Sequence, residues 1–87
     1  MTSQDDVRQT VANYVLEQFL PGERPEALTE TTPLISGGIL NSIDTMKLVA
    51  YLEDLYKIEF QAYEISANYL EDVAKITSTI MKKLAER

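Results

Sequence analysis

Hydrophobic positions recur with a helical period in three stretches of this chain. Between Gln4 and Leu20, Val7, Val11, Tyr14, Val15 and Phe19 form one apolar stripe. Ser3 is placed to cap that helix, Asp5 and Asp6 suit the positive end of its dipole, and Pro21-Gly22 stops it. A second helix is predicted over Ser42 to Tyr56, with Thr45, Leu48, Val49, Leu52 and Tyr56 on one face. A third runs from about Tyr69 to Ala85 on a stripe of Leu70, Val73, Ile76, Ile80 and Leu84. Asn68 is its candidate cap, with Glu71 and Asp72 in the first turn. Lys82, Lys83 and Arg87 lie at the end that favours cations.

The connections differ in kind. Pro21 to Asn41 is a long link holding all three prolines and all three glycines. A link of that length in a small domain is functional or pinned by its own side chains, and Leu34, Ile35 and Leu40 are the candidate pins. Gly37-Gly38 permits backbone angles that a side chain forbids. After Lys57, Ile58-Glu59-Phe60 reads as extended, and a short helix or turn is predicted around Tyr63 to Ala67. The expected fold is a single all-α domain over residues 1–87, a four-helix bundle of three main helices and one short one. Its long loop lies between helices 1 and 2.

Composition narrows the chemistry. The 87 residues include no cysteine and no histidine. That removes disulfides, thiolate chemistry, the usual general base and the usual zinc ligands, so a self-contained enzyme is not expected. The net charge of −6, from 14 acidic and 8 basic residues, argues against nucleic acid and anionic membrane as partners. No stretch reaches the roughly 18 apolar residues of a membrane span, and Met1 to Asp6 lacks the regions of a signal peptide. A cytoplasmic monomer is the expectation.

The most informative residue is Ser42, in Gly38-Ile39-Leu40-Asn41-Ser42-Ile43-Asp44, where loop becomes helix. A hydroxyl there can cap the helix by accepting from first-turn amides. It can equally stand in solvent as a nucleophile that another enzyme modifies, where the positive helix end favours a phosphodiester. Down the outer face of the same helix run Ile43, Met46, Lys47, Ala50, Glu53 and Asp54. Apolar residues on an outer face mark a docking surface, unless Ile43 or Met46 tucks under the preceding loop. Asp44, Glu53 and Asp54 are the nearby carboxylates, and they read as a solvated or docking face rather than as a catalytic set.

With these residues in view, the chain resembles the acyl and peptidyl carrier protein family. The resemblance rests on Thr32-Pro33-Leu34, Gly37-Gly38-Ile39-Leu40-Asn41-Ser42-Ile43-Asp44, Leu48-Val49 and Leu52-Glu53-Asp54-Leu55-Tyr56. It continues through Ile58-Glu59-Phe60 and Tyr69-Leu70-Glu71-Asp72-Val73-Ala74-Lys75-Ile76, covering about residues 32 to 80. It implies that Ser42, flanked by Asn41 and Ile43, receives a 4′-phosphopantetheine arm from coenzyme A inside a separate phosphopantetheinyl transferase. The arm would hold an aminoacyl or acyl group as a thioester. Ile43, Asp44, Met46, Lys47, Ala50, Glu53 and Asp54 would form the docking face for the transferase, an adenylating or acyl-loading enzyme, and downstream tailoring or condensing enzymes.

Two positions depart from the family pattern. Asn41 stands where aspartate is most common, keeping the hydrogen-bonding shape and losing a charge. Lys47 stands where fatty-acid carriers often have an acid, which argues against a fatty-acid synthase partner. The pattern is most similar to free-standing aminoacyl or peptidyl carriers of natural-product and antibiotic biosynthesis, prolyl-type carriers among them. An initial methionine and a close C-terminal end suggest a free-standing protein. The alternatives are a polyketide or fatty-acyl carrier, or an unmodified helical adaptor docking through its second helix.

Overall fold

A computed structural model describes residues 3–86 of the chain. Four α-helices pack as a bundle: α1 (Gln4–Phe19), α2 (Ser42–Tyr56), α3 (Ala67–Leu70) and α4 (Val73–Glu86). Single 3₁₀ turns lie at Pro25–Ala27 and Ala62–Glu64, and no strand occurs among the described residues. The apolar stripes expected from the sequence supply the core. Val7, Val11 and Val15 of α1, Leu48, Val49 and Leu52 of α2, and Val73, Ile76 and Ile80 of α4 are buried together. The α1 and α4 helices share the largest contact, α2 lies against α1, and α3 packs on α4. Tyr14 stacks on Tyr51 with ring centroids 4.0 Å apart, joining α1 to α2 at the edge of the core.

Ser3 caps α1 as expected, its hydroxyl accepting from the Asp6 amide at 3.1 Å. The α2 helix ends at Lys57, whose left-handed backbone (φ 55°) stops the helix where periodicity ends. Beyond it Ile58 is half-buried, Glu59 exposed and Phe60 buried, the alternation of an extended segment.

The last helix is shorter than its apolar stripe. The expected span from Tyr69 is broken at Glu71 and Asp72, which separate α3 from α4. Asn68 therefore lies inside α3 and caps nothing. Asp72 takes the capping place instead, its Oδ1 accepting from the Lys75 amide at 2.8 Å. The turn expected at Tyr63 to Ala67 is divided between the 3₁₀ turn and the start of α3. Arg87 lies outside the described residues. Lys83 turns from the helix end to Glu64, donating from Nζ to Oε1 at 2.6 Å, with both side chains largely buried. The same ammonium sits 5.4 Å from the Phe60 ring centroid.

The long connection is pinned. Leu28, Leu34 and Leu40 are buried, Ile35 is half-buried, and Leu40 donates its amide to the Leu34 carbonyl at 2.8 Å. Loop and α3–α4 junction are tied by Leu34 N–H to Glu71 O (2.6 Å) and Ala74 N–H to Glu30 O (3.0 Å). Gly37 is required by space: a Cβ there would sit 2.2 Å from the Pro33 carbonyl oxygen. Gly38 has φ 82°, a left-handed angle that suits glycine.

Two carboxylates are held below the ordinary glutamate value of 4.5. For Glu64, burial alone would raise the pKa, but hydrogen bonds from Lys83 and the Gln61 amide, with the lysine charges, outweigh it. For Glu71, hydrogen bonds from the Ser36 hydroxyl and amide are the main cause. A depressed carboxylate stabilises the fold fully above its unfolded pKa, and that contribution disappears as pH falls through the folded pKa. Urea midpoints should therefore fall on acidification below about pH 4.5. Glu64→Gln should be less stable than wild type at pH 7, and the gap should close as pH falls through the depressed folded pKa of Glu64. A gap that stays constant with pH would remove Glu64 from the acid sensitivity.

Candidate functional site

The loop delivers the chain to α2 at Asn41 and Ser42, and the local hydrogen bonds decide their roles. Asn41, not Ser42, is the N-cap. Its Oδ1 accepts from the Asp44 amide at 2.8 Å, and Asp44 Oδ2 accepts from the Asn41 amide at 3.3 Å. This reciprocal pair is a capping box, with an acid three residues after the cap closing it. The Asn41 carbonyl also accepts from the Thr45 amide (2.9 Å) and the Thr45 hydroxyl (2.8 Å). Ser42 is thereby the first helical residue, and of the two roles open to it the capping one belongs to Asn41. Its side chain is exposed and the cap does not need its hydroxyl.

Two surfaces meet at Ser42. On one side, a groove of about 540 Å³ is walled by Ile35, Leu40, Asn41, Ser42, Thr45 and Met46, with Ile65, Ser66 and Ala67 opposite. On the other, Ser42, Ile43, Met46, Lys47 and Ala50 outline a shallow apolar depression along α2. Ile43 is 67% exposed and Met46 52%, so neither tucks under the loop.

The expected docking residues divide. Ile43, Met46, Lys47, Ala50 and Asp54 are exposed on α2. Asp54 lies 3.7 Å from the Lys57 ammonium, an exposed contact of small energetic weight. Asp44 and Glu53 are only partly exposed and have work inside the chain. Asp44 closes the capping box, and Glu53 Oε2 accepts from the Phe60 amide at 2.8 Å, securing the segment after α2. Both carboxylates are therefore held in fixed orientations beside the apolar face.

Sequence reasoning missed the groove's far wall and Glu71. Ile65, Ser66 and Ala67 sit in a connection with no periodic signal. Glu71 was expected in a helix first turn, yet its Oε1 accepts from the Ile35 amide (3.0 Å) and the Ser36 amide (2.9 Å). Its Oε2 takes the Ser36 hydroxyl. No local pattern announces a partner so distant in the chain.

Among the described residues no cluster of three or more carboxylates could hold a metal ion, and no helix is long and apolar enough to cross a membrane. No protein-family model matches the sequence, and no curated protein matches it.

Replacing Asn41 by Ala should cost about 1 kcal/mol of stability, the ordinary value of a lost cap. Ser42→Ala should stay within about 0.5 kcal/mol of wild type, as an exposed substitution does. Urea unfolding followed by helical circular dichroism measures both, and equal losses would return the capping role to Ser42.

Proposed function

We propose that this chain is a carrier protein whose Ser42 is modified with 4′-phosphopantetheine. The observation that carries this reading is an exposed serine, relieved of capping by its neighbour, at the meeting point of a groove and an exposed apolar helix face. The sequence resemblance over about residues 32 to 80 points the same way. The residues suit such a group: the serine oxygen is accessible, and the first amides of α2 favour a phosphodiester beside them. Ser42 Oγ would form the new P–O bond at the pyrophosphate of coenzyme A. Its proton passes to a base of the transferase, and adenosine bisphosphate leaves. The bound arm supplies the thiol on which an aminoacyl or acyl group is held as a thioester.

The chain's own task is delivery. Ile43, Met46 and Ala50 offer the apolar centre of a transient interface, with Lys47 and Asp54 at its margin. Lys47 is exposed among the acids of this face and interrupts the acidic stripe that would suit a fatty-acid synthase. Aminoacyl loading by an adenylating enzyme in a natural-product pathway fits it better, and a polyketide or fatty-acyl carrier is the second choice. We place the protein in the cytoplasm as a monomer. The exposed Ile43 and Met46 equally favour one reading of another class, an adaptor docking through α2 without modification.

Intact-protein mass spectrometry separates the two. Incubation with coenzyme A, magnesium and a broad-specificity phosphopantetheinyl transferase should add one phosphopantetheine, mapped to Ser42, and Ser42→Ala should add none. No gain on folded wild type with several transferases would favour the adaptor. Once loading is established, Ile43→Asp and Met46→Glu should slow it by about tenfold or more, as loss of a central apolar anchor does, with little change in thermal midpoint. Parallel loss of stability and loading would mean that these residues serve the core.

A further inference from the structure

The segment between Leu34 and Leu40 is a small closed loop, joined at its base by the Leu40 N–H to Leu34 O bond. Both leucines are buried and hold the base in place. The outer part is held differently. The Ile35 and Ser36 amides donate to Glu71 Oε1 at 3.0 and 2.9 Å, and the Ser36 hydroxyl donates to Oε2. A carboxylate taking three donors from two neighbouring residues is a strong, directional clamp. Ile35 is also part of the wall of the groove that opens at Ser42.

We propose that Glu71 is a positioning residue for Ser42: it holds Ile35 and Ser36 in place and so sets the groove wall that a modifying enzyme meets. This rests on the carrier reading. The base of the loop stays buried without Glu71, so its loss should move the wall and leave the bundle standing. Gln at this position retains an oxygen for both amides, and its NH₂ can donate to the Ser36 hydroxyl. Leu retains neither.

The test compares wild type, Glu71→Gln and Glu71→Leu by amide hydrogen exchange and by steady-state transfer from coenzyme A, below the onset of unfolding. Glu71→Leu should speed exchange at the Ile35 and Ser36 amides by at least about tenfold. It should raise KM for the carrier by about five- to tenfold with kcat within about twofold, as displacement of a binding surface does. Glu71→Gln should stay within about twofold of wild type in each reading. A purely structural role would lower the thermal midpoint of Glu71→Leu and leave KM unchanged, and that result overturns the proposal. If Glu71→Leu does not fold, Ser36→Ala, which removes only the hydroxyl, should raise KM by about two- to threefold, and an unchanged KM overturns it equally. Absence of any transfer to wild type sinks the carrier reading, and with it the positioning role. Faster exchange with an unchanged KM sinks only the role of Glu71.

Discussion

Burial of Leu28, Leu34 and Leu40 is the constraint on which the rest of this small protein depends. A long connection in an 87-residue chain without cysteine has few means of becoming rigid. Three leucines spaced along it enter the same core as α1, α2 and α4. Part of the polar backbone between them is satisfied by the α3–α4 junction, where Glu71 accepts from the Leu34, Ile35 and Ser36 amides and Ala74 donates to the Glu30 carbonyl. The loop thus behaves as a fifth packed element, and it carries the chain to the start of α2 in a defined direction.

That direction matters because the start of α2 assembles everything of chemical interest. Asn41 and Asp44 close the helix end reciprocally, and Thr45 bonds back to the Asn41 carbonyl. The polar requirements of the helix end are met by residues on either side of Ser42. The serine is then free to differ in role from its neighbours, with no cost to the cap. The opposite end of α2 is secured with similar economy, where Glu53 reaches past the helix end to the Phe60 amide.

Much of the fold was legible in the sequence because it depends on local period. The valines of α1, the face of α2 and the Ile76–Ile80 stripe are repeats that any helix would bury on one side. The break at Glu71–Asp72 was not legible, since the stripe from Leu70 to Ile80 runs across it without interruption. It is imposed by the loop, which docks its Leu34 amide on the Glu71 carbonyl. The choice of cap was half legible. Asn41 and Ser42 are both good caps, and Asp44, three residues after Asn41, is the signal that separates them. Exposure of Ile43 and Met46 followed from the helical wheel. The diversion of Glu53 did not, because period gives the direction of Cβ and a long side chain chooses its own end point.

The anchoring of Asp44 and Glu53 by backbone amides has a kinetic consequence. A surface rimmed with carboxylates attracts a basic partner over a distance and accelerates encounter, an advantage that salt erodes. A hydrogen bond from a neutral amide leaves a carboxylate's field in place, so the α2 face keeps that reach while two of its acids are held still. A basic partner seeking Ile43 and Met46 would arrive steered, and its encounter would slow as ionic strength rises. Discrimination among partners of like charge would then fall to how long each stays, which is set by the fit of two apolar side chains.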